Sequence, residues 1–105
     1  MTDRDPFVCA ADRLLREVAE DLCATGLACE LAGDVLAWRY GDGTRATLIR
    51  QAAVRQIWLA DGVLAWYFDW CPDLGEWSDG RAGSLLRDVL AARMHVRRTV
   101  HGSAG

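Results

Sequence analysis

The chain contains no lysine and no asparagine; all 12 of its basic residues are arginine. An all-arginine set is what GC-rich coding produces, and it carries no functional weight. Histidine and cysteine are sparse, at two and four residues. No two of Cys9, Cys23, Cys29 and Cys71 are spaced as C-x-x-C, and neither His95 nor His101 has a second ligand type beside it. A zinc site of ordinary spacing is therefore excluded. No apolar run approaches the ~20 residues of a membrane span. No apolar stretch follows the first few residues, and Asp3 and Asp5 stand where a transit segment would be free of acid. The expectation is a cytoplasmic protein with no membrane partner, its cysteines free thiols that act as small, partly buried hydrophobes. No phosphate-binding loop and no nucleophile–base pair is present, so catalysis is not expected.

What is present is a globular composition. Of 105 residues, 51% are hydrophobic and 26% charged, which is too apolar for a disordered chain. The length suits one domain. It is placed at residues 1–94, with 95–105, ending His-Gly-Ser-Ala-Gly, as a flexible tail.

The net charge of −3 is unevenly spread. Residues 1–34 carry eight acids and three Arg, whereas residues 35–60 carry one acid and four Arg. Residues 61–90 carry six acids and two Arg, and the last fifteen residues carry three Arg and no acid. This alternation lacks the continuous basic footprint of a nucleic-acid binder. It fits an acidic surface and a separate basic patch, each available to a partner.

Ala11, Leu14, Leu15, Val18, Ala19 and Leu22 follow the i, i+3, i+4 spacing of an amphipathic helix. Asp5 suits its N-cap, Pro6 its first position and Gly26 its stop. The outer positions are Asp12, Arg13, Arg16, Glu17, Glu20 and Asp21. Taken alone, this is a solvated face with Arg13–Glu17 and Arg16–Glu20 pairs, each worth about 0.3–0.5 kcal/mol.

Short apolar stretches then alternate with turn residues: 27–31, 35–40, 44–50, 56–60, 63–70 and 76–78. Gly33-Asp34, Gly41-Asp42-Gly43, Asp61-Gly62, Pro72 to Gly75 and Asp79-Gly80 separate them. Breaks this tight predict consecutive antiparallel hairpins. Ser84 is placed as the N-cap of a second helix running to about Arg93. The predicted fold class is α+β: a two-layer sandwich with one antiparallel sheet of five or six strands and both helices on one face. Strand alternation puts Ile57 and Leu59 in the core and Gln56, Trp58 and Ala60 on the uncovered face. An exposed Trp is informative, because Trp is enriched at binding hot spots. Trp38, Trp66, Trp70 and Trp77 are expected to pack in the core or on the sheet.

The ordered run Arg50-Gln51, four residues, Gln56-Ile57-Trp58-Leu59-Ala60, then Phe68-Asp69, Gly75-Glu76-Trp77 and a Leu-rich closing helix resembles the frataxins, and most closely the short bacterial ones. The likeness covers residues 7–93. It implies the two-layer sandwich already predicted, and a cytoplasmic, monomeric accessory protein of iron–sulfur cluster assembly. Such a protein binds ferrous and ferric iron weakly through acids on the first helix and first strand, here Glu17, Glu20, Asp21 and Glu30. It docks on the cysteine desulfurase and scaffold complex through the acidic ridge and the open sheet face, here Arg50, Gln51, Gln56 and Trp58. The chain departs from the family in the depleted stretch Leu22 to Glu30, in Ile49 where Asn is usual, and in Ala52-Ala53 where Pro is common. The rival reading is a divergent protein-interaction module that has lost iron. A ferroxidase-like enzyme, which needs carboxylates clustered around an iron pair, ranks last.

Overall fold

In the computed structural model, which describes residues 5–104 with side chains as far as His95, the first helix, α1, spans Pro6–Ala24. Its start is the expected one. The Asp5 carboxylate accepts from the Phe7 N–H at 2.9 Å, which satisfies one of the helix's free N-terminal donors. At the far end Thr25 caps, and Gly26 takes the left-handed φ of +84° that ends the helix.

Six strands follow: β1 (Cys29–Ala32), β2 (Val35–Arg39), β3 (Arg45–Gln51), β4 (Gln56–Asp61), β5 (Leu64–Cys71) and β6 (Glu76–Ser78). They form one sheet in sequence order, and every neighbouring pair is antiparallel. The turn from β3 to β4 is a single 3-10 turn, Ala52–Val54, closed by Arg55 at φ 55°. A left-handed non-glycine residue is costly. Here the Arg55 side chain is held in place by an ion pair to Asp5 and by its position 5.2 Å over the Phe7 ring.

The second helix, α2, spans Leu86–Ala104. Two expectations are corrected here. Ser84 is not the N-cap: its carbonyl accepts from the Asp79 N–H, while the Leu85 carbonyl takes the first helical bond, from Val89. Nor does the helix stop near Arg93. Residues 94–101 contain no Gly or Pro to break it, and the backbone stays helical through what was expected to be a frayed tail. The side chains of Arg97 and Arg98 lie outside the described residues.

One core cluster joins the layers. α1 contributes Phe7, Ala10, Ala11, Leu15, Val18 and Leu22; α2 contributes Leu86 and Leu90. The sheet contributes one side chain in two: Leu36 and Trp38, Ala46 and Leu48, Ile57 and Leu59, then Phe68 and Trp77. The period of two sends the alternate residues to the other face. The fold is the expected α+β two-layer sandwich, with six strands.

Among the described residues, one charge is buried in the core. Asp61, 1% exposed, accepts from the Tyr40 hydroxyl at 3.1 Å and from Arg93 Nε at 3.0 Å. The sequence reading marked Arg93 as the approximate end of the second helix and gave its side chain no partner within the chain. It instead fastens α2 to the end of β4.

Candidate functional site

The uncovered sheet face is built by register. Val35, Ile49, Trp58 and Tyr67 are successive cross-strand partners, and all alternate with core residues. The next row is Gln51, Gln56, Asp69 and Ser78. Trp58 is half-buried and not sealed in the interior. Its ring meets Tyr67 edge-on at 5.1 Å, and its Nε1–H donates to Gln56 Oε1 at 2.9 Å. Gln56 Nε2 donates in turn to Asp69 Oδ1 at 3.2 Å. The indole is thus fixed on one side by an aromatic contact and on the other by a two-step hydrogen-bond chain. A groove of about 500 Å³ runs beside it, lined by Gln56, Trp58, Tyr67, Asp69 and Arg81 among others. A rigid aromatic beside polar groups is the composition of a protein-docking surface.

Of the four residues expected to meet a partner, Gln51, Gln56 and Trp58 share this face. Arg50 does not. It pairs with core-facing Ile57 and turns toward the helices. Its guanidinium donates to Asp34 Oδ1 at 2.6 and 2.9 Å and also to Asp12 of α1. The Asp34 and Asp12 carboxylates push the Arg50 pKa up. Arg50 therefore clamps α1 to the β1–β2 turn. Tyr67 was not singled out from the sequence, and Asp69 entered only as part of the Phe68-Asp69 motif, without a place on this face. The alternation of 63–70, set opposite Trp58, was the signal for both.

The carboxylates divide in the same way. Glu17, Glu20 and Asp21 are exposed on one side of α1, spaced three and four residues apart. Neither expected ion pair, to Arg13 or Arg16, forms; Arg16 Nε instead donates to the Asp12 carbonyl at 3.4 Å. Glu30 is not with them. Its neighbours Cys29 and Leu31 oppose core-facing Trp38 and Leu36, while Glu30 opposes Ala37, so it stands on the uncovered face. Among the described residues no three His, Cys, Asp or Glu side chains gather as a metal site. All four cysteines are free, with Cys9 and Cys23 exposed rather than partly buried as expected. No helix among the described residues is long and apolar enough to cross a membrane.

Comparison with known proteins places this geometry. Residues 3–98 match the family model of the frataxin-like domain. An iron–sulfur cluster assembly protein CyaY of Tolumonas auensis is 33% identical over 75 residues, which are 71% of this chain and 70% of the relative. A protein of the same name from Thioalkalivibrio sulfidiphilus is 32% identical over 79 residues, covering 75% and 74%. Among solved structures, the frataxin of Psychromonas ingrahamii superposes with a TM-score of 0.80 at 24% identity over 89% of both chains. Yeast frataxin superposes with 0.70 at 23% identity over 98% of this chain and 97% of its own; both likenesses speak to the fold. The open six-stranded sheet, the two helices on one side, Trp58 on the other and the family-model match together make this chain a member of the frataxin family, of the bacterial CyaY type.

Proposed function

We propose that this chain is an accessory protein of iron–sulfur cluster assembly that acts by binding and not by catalysis. As a cytoplasmic monomer it carries ferrous or ferric iron weakly on surface carboxylates. It docks on the cysteine desulfurase and scaffold complex through the open sheet face, as iron donor or regulator. The relatives named as iron–sulfur cluster assembly proteins support the pathway. The observation that carries the docking role is the braced indole of Trp58, half-exposed on a face that neither helix covers.

Iron is cargo in this reading. Glu17, Glu20 and Asp21 offer hard oxygen ligands suited to hard iron ions. They have no enclosing cage, so binding is modest and readily reversed. Glu30, on the other side of the sheet, is a separate contact rather than part of the same patch.

The separation of Glu30 from the helix acids, with no three-ligand cluster among the described residues, favours a second reading: an interaction module on the same complex that no longer binds iron. One titration separates the two. Ferrous iron or cobalt added to the labelled protein broadens the amide peaks of Glu17, Glu20 and Asp21 if iron is carried there. Unchanged peaks, together with retained binding to the purified desulfurase, establish the second reading. Failure of both measurements overturns the proposal.

A further inference from the structure

The basic middle of the sequence holds Arg39, Arg45, Arg50 and Arg55. The fold neutralises two of them, Arg50 with Asp12 and Asp34 and Arg55 with Asp5. It leaves the other two. Arg39 and Arg45 are direct partners across β2 and β3, both exposed. Among the described residues neither meets a carboxylate. Arg39 Nη1 donates to the Gly43 carbonyl at 3.2 Å, and the Arg45 side chain makes no hydrogen bond to any described residue. Like charges directly opposite each other weaken a sheet. These two therefore oppose the stability of the hairpin that carries them, and nothing within the described residues offsets them.

The pair borders a hollow of about 300 Å³, whose other walls include Cys29, Glu30, Ala37 and Trp38. Two guanidinium groups and one carboxylate leave the site with a net charge of +1. Arginine presents a planar fork that matches a carboxylate with two parallel hydrogen bonds. The fork fits a phosphate as well, but a carboxylate is the anion that an unmodified protein segment carries. The site also lies on the docking face. Arg45 and Ile49, the cross-strand partner of Trp58, are four residues apart on one strand, or roughly 13 Å. A protein surface of ordinary size that meets Trp58 spans that distance.

We propose that Arg39 and Arg45 form a carboxylate-binding site for an Asp- or Glu-bearing segment of a partner protein, at the β1–β3 end of the open face. Glu30, on the same face, opposes entry and limits the affinity. The assignment requires neither iron nor Trp58 to bind anything, so it stands or falls apart from the function proposed above.

The test uses the full, labelled, metal-free chain. A hexaglutamate peptide is titrated against tricarballylate, inorganic phosphate and sodium chloride, all at matched ionic strength. The backbone amides of Ala37, Arg39 and Arg45, all on this face, report by NMR. Shifts produced by the peptide and not by chloride are expected. Glu30→Gln should tighten the peptide severalfold. Arg45→Glu should weaken it at least tenfold while raising the urea midpoint, because a like-charge pair becomes an opposite one; a merely structural arginine could not give that opposed pair of changes. Equal shifts from chloride, a phosphate or tricarballylate response as strong as the peptide's, or unaltered peptide affinity in Arg45→Glu would each overturn the proposal.

Discussion

The Nε1–H of Trp58 is satisfied by Gln56, two residues back on the same strand, at 2.9 Å. The glutamine thus spends its acceptor on the indole and a donor on Asp69. Gln56 thereby holds the indole, whose ring lies edge-on to Tyr67. Trp58→Ala is expected to keep the fold, losing an aromatic pair worth about 1 kcal/mol. It should weaken binding to the purified desulfurase complex by about 2 kcal/mol, roughly thirtyfold, as removal of a central aromatic anchor does. Gln56→Leu, which frees the indole without removing it, should cost about 1 kcal/mol of the same affinity. Titration calorimetry measures both, and equal affinities for parent and Trp58→Ala would remove this face from the docking surface.

Arg50→Ala should behave in the opposite sense. Its partners are Asp12 and Asp34, not the open face. Stability in urea is expected to fall by about 1.5–3 kcal/mol, the range for hydrogen bonds to charged groups. Desulfurase affinity of the folded variant should stay near that of the parent. Loss of affinity at unchanged stability would return Arg50 to the docking surface.

The Asp61–Arg93 pair ties β4 to α2 with the carboxylate fully buried and the arginine side chain 21% exposed. Asp61→Ala leaves Arg93 and the Tyr40 hydroxyl without their shared acceptor. A loss of about 3 kcal/mol is expected, the low end for breaking a buried pair because Arg93 keeps some water. Tyr40→Phe, which removes one hydrogen bond to a charged group, should cost less, about 1.5 kcal/mol. Urea denaturation followed by Trp fluorescence measures both, and an order reversed between the two variants would contradict the network.

Acid should loosen the N-terminal cap. The Arg55 guanidinium, then the Phe7 N–H, hold the Asp5 carboxyl at about 2, below its ordinary 3.8. A carboxylate whose pKa is depressed on folding adds stability that is full above the unfolded value and is lost as pH falls through the folded one. The contribution therefore fades between about 3.8 and 2. In Asp5→Asn that part of the acid limb should flatten in a series of thermal melts against pH. An acid limb identical to the parent's would show that Asp5 is not held in this way.

Much of the fold was legible because its signals are local. Asp5, Pro6 and Gly26 bracket α1 by backbone chemistry alone, and the alternation around Ile57, Trp58 and Leu59 fixes their faces through the pleat. The placement of Trp58 needed nothing further. Glu30 was grouped with the helix acids by resemblance, although the same alternation, with the boundaries of β1 known, sends it to the other side. Ser84 lost the cap because a strand pairing at Ser78 and Leu85 outcompeted a local preference.

The sequence by itself determined the order of elements, the two-layer architecture and the exposure of Trp58, since periods of 3.6 and 2.0 are written into neighbouring residues. The tertiary structure alone decided where the charges go. Arg50 finds Asp12 across 38 positions, Arg55 finds Asp5 across 50 and Arg93 finds Asp61 across 32. An arginine carries no local mark of its partner. Only the packing of distant elements brings a carboxylate within reach, and only that packing left Arg39 and Arg45 without one among the described residues.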